Sequence, residues 1–277
     1  MNKITLKNPG IVALDLDGTL LKSDHTLSQR TIETLRVLEK QCRVVISTGR
    51  SYEGMKHFKD QIGLENPVIC YNGAMIADGR TDKILHQWLL PSDITRAAYE
   101  YARERGIHFQ AFQDGELYFE KKTEESEYYE ASTALQGHLT SFDHWENLEV
   151  TKALMIISPS RSSGDFPELH EARSYFKEQF AERLYCALSK PFYLEFINGK
   201  GSKGNALHQV GTDMQVSQDR IAAFGDGFND LEMLEYAGMS VAMSNAPQGV
   251  KERCTHETEL SNDEDGVADF IEKYFLR

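Results

Sequence analysis

The chain has 277 residues, 40% of them hydrophobic, which is enough to bury two cores, and its 43 Asp and Glu against 30 Lys and Arg leave a net charge of -13. That balance disfavours a broad contact with a nucleic-acid backbone, and no apolar run approaches the roughly 18 residues of a membrane span. Cys42, Cys70, Cys186 and Cys254 are too scattered for a zinc pair or a dense disulfide framework, and Met1 to Gly10 lacks a secretory apolar stretch, so reduced thiols and a cytoplasmic location are expected.

Along the chain, the apolar run Ile11-Val12-Ala13-Leu14 predicts a buried strand that ends in Asp15-Leu16-Asp17-Gly18-Thr19. Residues two apart in an extended segment point the same way, so Asp15 and Asp17 are expected to face one pocket before Gly18 turns the chain. Two converging carboxylates repel unless a cation or proton intervenes, and hard oxygen ligands suit Mg²⁺; a plain polar turn would use the same residue types. A second strand, Arg43-Val44-Val45-Ile46, ends in Ser47-Thr48-Gly49-Arg50, and a third, Val68-Ile69-Cys70, runs into Tyr71-Asn72-Gly73-Ala74.

A helix starting at Ser92-Asp93 closes at Gly106, and strand-like Ile107 to Phe112 turns at Asp114-Gly115 into Leu117-Tyr118-Phe119. A polar helical stretch precedes the strand Lys152 to Ile157, then a helix over Leu169 to Phe180 and the strands Leu184 to Ala187 and Tyr193 to Ile197. The cap aromatics Phe112, Tyr118 and Phe119 sit at strand spacing and read mainly as core. Crossovers between parallel strands take about 30 residues, so the interval from Val68 to Lys203 requires an inserted second domain.

Gly199-Lys200-Gly201-Ser202-Lys203-Gly204 then presents a lysine at a helix start. The run Arg220 to Phe224 leads into Gly225-Asp226-Gly227-Phe228-Asn229-Asp230, and Met239 to Met243 into Ser244-Asn245-Ala246. Ligands of open parallel sheets bind outside the carboxyl ends of the strands, so these polar termini are expected to meet in one crevice. The scattered histidines form no metal-ligand pattern, and Asp263-Glu264-Asp265 reads as a solvated helix start.

The order DxDGT, hydroxyl-Gly-Arg, lysine and GDGxND resembles the haloacid dehalogenase-like superfamily, specifically its Cof-type phosphatases of subfamily IIB, over nearly the whole chain. Tyr71-Asn72-Gly73-Ala74, Ala242 to Ala246 and Ser261 to Ala268 support it, while Ser244 and Cys254-Thr255-His256 depart from the usual pattern. The resemblance implies an α/β fold: a Rossmann-like three-layer core with a parallel sheet in residues 1–84 and 199–277, and an inserted α+β cap of C2B type in residues 85–198 that sets substrate specificity. It implies Asp15 as nucleophile and Asp17 as general acid and base. Mg²⁺ would be held by Asp15, the Asp17 main-chain carbonyl and Asp226. Thr48, Gly49, Lys203 and Asn229 would contact phosphate, with Asp230, Arg50 and Asn245 in support. The implied activity is Mg²⁺-dependent hydrolysis of a small phosphorylated metabolite, of the sugar phosphate, flavin or pyridoxal phosphate class, through an aspartyl phosphate. A phosphomutase of the same superfamily, or a non-catalytic binder of a phosphorylated ligand, would share the motifs. No nucleic-acid or membrane partner is expected, and the residues specify no oligomeric state.

Overall fold

The computed structural model describes residues 6–133, 135–158, 160 and 164–276, so the first five residues of the amino-terminal segment lie outside it. The chain divides into two compact units, one of residues 1–50, 55–86 and 202–277 and the other of residues 51–54 and 87–201.

The first unit begins with β1 (Ile11–Leu14), whose four residues are all buried, as a strand covered on both faces must be. Helix α1 (Gln29–Leu38) starts at the N-cap Ser28, whose side chain accepts from Thr31 N–H at 3.0 Å. β2 (Arg43–Ile46) lies parallel to β1, with Ile11 beside Arg43 and Leu14 beside Ile46. After α2 (Tyr52–Ile62), β3 (Val68–Cys70), β4 (Met75–Ala77) and β5 (Ile84–Gln87) form a small three-stranded sheet. β3 extends the line of parallel strands through one bridge, Ser47 to Ile69, with Thr48 N–H donating to Ile69 O at 2.8 Å.

The second unit follows as α3 (Ser92–Arg105), β6 (His108–Gln113), β7 (Glu116–Phe119), α4 (Glu124–Thr133), β8 (Gly137–Leu139), β9 (Lys152–Ile156), α5 (Pro167–Phe180), β10 (Leu184–Lys190) and β11 (Tyr193–Asn198). Its strands order as β10-β11-β9-β6-β7-β8, antiparallel apart from the β7–β8 pair. Side chains alternate across this sheet. Phe109, Ala111, Ala153, Met155, Leu194 and Phe196 join Ile94 and Ala98 of α3 and Leu169 and Phe176 of α5 in one core. Gln110, Phe112, Lys152 and Glu195 point to the other face, where Lys152 Nζ and Glu195 Oε2 are 3.4 Å apart, and Tyr129 of α4 packs on Phe112. Phe112 and Phe119 are fully buried, and Tyr118 packs edge-on against Trp145.

The chain then returns to the first unit with α6 (Lys203–Asp213), β12 (Ile221–Gly225), α7 (Leu231–Tyr236), β13 (Met239–Ala242), α8 (Gln248–Lys251), β14 (His256–Glu257) and α9 (Gly266–Tyr274). β12 takes the free side of β1, giving the all-parallel order β14-β13-β12-β1-β2. Helix α9 ties to α1 where Arg30 Nη2 and Thr34 Oγ1 donate to Glu272 at 2.6 and 2.7 Å. Among the described residues no helix is long and apolar enough to cross a membrane, and all four cysteines are unpaired thiols.

Candidate functional site

Parallel register brings the polar strand ends level. Leu14 lies beside both Ile46 and Phe224, and the Asp15 N–H donates to Phe224 O at 3.0 Å. Asp226 immediately follows β12. Lys203 opens α6 behind Ser202, whose hydroxyl accepts from Asn205 N–H at 3.1 Å. Gly204 lets that helix lie against α7, since a Cβ there would come within 2.7 Å of the Glu232 backbone.

Lys203 Nζ donates to Asp15 Oδ1 and to Asp230 Oδ1, both at 2.5 Å. Asp230 Oδ2 accepts from the Asp226 and Gly227 N–H groups at 3.0 and 2.8 Å, so the chain itself engages both of its oxygens. Carboxylate oxygens of Asp15, Asp226 and Asp230 lie within 4.8 Å of one another. Thr19 Oγ1 donates to Asp226 Oδ1 at 3.2 Å. Gly18 has φ +80°, and a Cβ on it would sit 2.4 Å from Asp226 Oδ2, so both the turn and the close approach require glycine. Asn245 Nδ2 donates to Gly18 O at 2.8 Å and its Oδ1 accepts from Asn262 N–H at 3.1 Å, pinning that turn.

Three carboxylates around one ammonium leave an excess of buried negative charge. Burial and the facing Asp230 push the Asp15 carboxyl well above the ordinary carboxylate range, against the pull of Lys203. Burial, with Asp230 again, pushes Asp226 up to about 6. For Lys203, burial favours the neutral amine but is outweighed by Asp15 and Asp230, so it stays protonated and its pKa rises.

Asp17 behaves differently. Its carboxylate is 43% exposed and is gripped by Arg50, Nε to Oδ2 at 2.8 Å and Nη2 to Oδ1 at 2.5 Å. Although burial would raise its pKa, the Arg50 hydrogen bonds and charge prevail and hold it below the usual range. Asp15 and Asp17 therefore have separate partners rather than a shared pair, and the third carboxylate clustered with Asp15 and Asp226 belongs to Asp230.

On the β2 side, Thr48 is buried and its Oγ1 accepts from Arg50 N–H at 3.1 Å. Asn72 N–H donates to Thr48 O at 3.0 Å, and Asn229 Nδ2 donates to Asn72 Oδ1 at 3.1 Å. A Cβ on Gly49 would meet that same Asn72 oxygen at 3.0 Å. Thr48, Gly49 and Asn229 thus gather around Asn72, to which the motif spacing gives no site role. Tyr71 and Asn72 both take left-handed backbone angles, φ 52° and 55°, a costly pair of conformations held in place by these contacts. A Tyr-Asn-Gly turn directly after a buried strand is the local signal that would have pointed there.

The profile of the haloacid dehalogenase-like hydrolase family matches residues 12–271 of this chain. The chain is 34% identical over 274 residues to the 5-amino-6-(5-phospho-D-ribitylamino)uracil phosphatase YitU of Bacillus subtilis (strain 168), covering 96% of this chain and 98% of that one. It is 29% identical to the pyridoxal phosphate phosphatase YbhA of Escherichia coli (strain K12), covering 96% and 98% of the two chains. A crystal structure of a haloacid dehalogenase-like hydrolase from Bacteroides thetaiotaomicron superposes with TM-score 0.85 at 28% identity, over 96% of this chain and 100% of that one.

Proposed function

The chain belongs to the haloacid dehalogenase-like hydrolase family, and from that premise we propose that it is a Mg²⁺-dependent phosphatase that cleaves small phosphomonoesters through an aspartyl phosphate on Asp15. The observation that carries this reading is Asp15 held at 2.5 Å by a fully buried Lys203 beside Asp226 and Asp230, at the carboxyl end of a parallel sheet.

An Asp15 carboxylate oxygen attacks phosphorus, the P–O ester bond breaks, and its electron pair leaves on the ester oxygen, which takes the proton of the Asp17 carboxyl. In the second half, Asp17 accepts a proton from water as the water oxygen bonds phosphorus and the Asp15–phosphorus bond breaks. Lys203, the Gly49 N–H, Thr48 and Asn229 stabilise charge on the phosphoryl oxygens. Asp230 keeps Lys203 in place and orders the Asp226 turn through its two main-chain bonds.

Hard carboxylate oxygens with surplus negative charge fit a small divalent cation. Asp15, Asp226 and the Asp17 main-chain carbonyl would hold Mg²⁺, which offsets repulsion between the anionic nucleophile and the phosphoryl group. The second unit serves as the specificity cap in this reading, since all of it but residues 51–54 is one α+β stretch, residues 87–201, inserted between segments of the first. The named relatives point to phosphorylated ribitylamino-uracil or pyridoxal phosphate substrates. The four unpaired thiols accord with a cytoplasmic setting.

Phosphate release from a phosphorylated-metabolite panel should require Mg²⁺ and stop on chelation; undiminished release with chelator present would overturn the metal assignment. The cation should also stabilise the fold in a pH-dependent way. With Asp226 shifted from an ordinary 3.8 to about 6, the folded chain binds more protons than the unfolded one between those values. The cation-free fold therefore loses stability as pH rises through that window, and a cation that replaces the proton restores it above pH 6. The Mg²⁺-induced rise in unfolding temperature should be larger at about pH 7.5 than at about pH 5. An equal rise at both would count against Asp226 as a ligand.

A further inference from the structure

We propose that Asn72 is a positioning residue of the phosphate cradle: its side-chain oxygen sets the Asn229 amide so that the N–H end, rather than the oxygen, is offered to the phosphoryl group; this rests on the phosphatase reading above. An asparagine amide has a donor end and an acceptor end of nearly the same shape, so a half-turn about its last bond would bring an oxygen up against the anionic phosphoryl oxygens. Asn229 Nδ2 donates to Asn72 Oδ1 at 3.1 Å, and the reversed amide would set two oxygens against each other there. With one N–H of that nitrogen engaged by Asn72, the other is left to donate to phosphate.

The main chain holds Asn72 for this task. Its N–H donates to Thr48 O at 3.0 Å, and Tyr71 N–H donates to Arg50 O at 2.9 Å, so the turn after β3 is bonded on both sides of Gly49. Gly73, at φ +101°, brings the same turn so close to the start of α6 that a Cβ on it would come within 2.1 Å of Ser202 O, one residue before Lys203. The groups given to phosphate thus come from three segments far apart in the chain, and the turn Tyr71–Gly73 touches each of them. That position accounts for the cost the turn carries, since the left-handed angles of Tyr71 and Asn72, φ 52° and 55°, persist only where surrounding contacts enforce them. Asn72 is 4% exposed, so water has little room to take the place of its oxygen.

Glycine accepts left-handed backbone angles more readily than any other residue, so Asn72→Gly removes the side chain while keeping the turn and its main-chain bonds. Its urea midpoint should stay near that of wild type, while kcat/KM on p-nitrophenyl phosphate falls about 10–100-fold and inorganic phosphate becomes a weaker competitive inhibitor. Asn229→Ala should lose at least as much. Combining Asn72→Gly with Asn229→Ala should leave kcat/KM within about twofold of Asn229→Ala alone, because Asn72 then has no amide to orient. A packing role for Asn72 that is independent of Asn229 would make the two losses multiply. Multiplying losses, an Asn72→Gly protein as active as wild type, or one whose urea midpoint drops well below it, would overturn the inference while leaving the phosphatase reading intact. Wild-type protein that hydrolyses neither p-nitrophenyl phosphate nor any of the metabolite panel would overturn both.

Discussion

Asp15→Asn should abolish phosphate release, with a loss on the order of 10⁵-fold in kcat, the scale seen when a covalent nucleophile is removed. The amide has nearly the volume of the carboxylate but no anionic oxygen to bond phosphorus, so the defect lies in chemistry rather than packing. The fold should tolerate it. Lys203 keeps its bond to Asp230, and removing one of three crowded carboxylates relieves the repulsion that pushes Asp15 upward. Acid-quenched wild-type protein taken during turnover should carry an acyl phosphate that hydroxylamine releases, and the variant should carry none. Measurable turnover by the variant, or a label mapped elsewhere, would remove Asp15 from the nucleophile's role.

Lys203→Met should fail in both respects. Its ammonium is fully buried between Asp15 and Asp230, and taking it away leaves the carboxylates uncompensated in a site shielded from water. Breaking a buried pair in this way costs about 3–5 kcal/mol, read as a fall in the urea midpoint near neutral pH. The loss should shrink in acid, where Asp15 and Asp226, both raised, take up protons in place of the lost cation. Activity should drop by about 10²–10³-fold through loss of charge on the phosphoryl oxygens. Adding Asp230→Asn should recover part of the stability and none of the activity. A Lys203→Met protein as stable as wild type would show that the ammonium is dispensable to the fold.

Much of this arrangement could be read along the chain because it is local. An apolar four-residue run followed by Asp-x-Asp-Gly fixes both the buried strand and the acidic residues at its end, and the same logic places Asp226 after β12 and Thr48 after β2. Lys203 could be read from the glycine-rich helix start. The contacts that were not legible join residues distant in sequence. Arg50 grips Asp17 because β1 and β2 are neighbours in register, a fact that neither segment carries alone. Asn72 reaches Asn229 across 157 positions, and its left-handed backbone is stabilised only once both strands are in place. The β7–β8 pairing escaped notice for a different reason: Gly137–Leu139 is three residues long, with His138 and Leu139 exposed, too short to show alternation.

The order of strands has a further consequence during synthesis. β1 finds one partner soon, in β2, but its other partner, β12, begins only at Ile221, after the whole of residues 87–201 has been made. At ribosomal speed that delay is on the order of ten seconds, during which a wholly apolar strand keeps one edge without hydrogen bonds. The intervening segment supplies most of its own sheet and core, and can finish folding while the earlier strands wait. Nascent chains arrested short of Ile221 should therefore be the species that chaperones hold and that aggregates when they are absent.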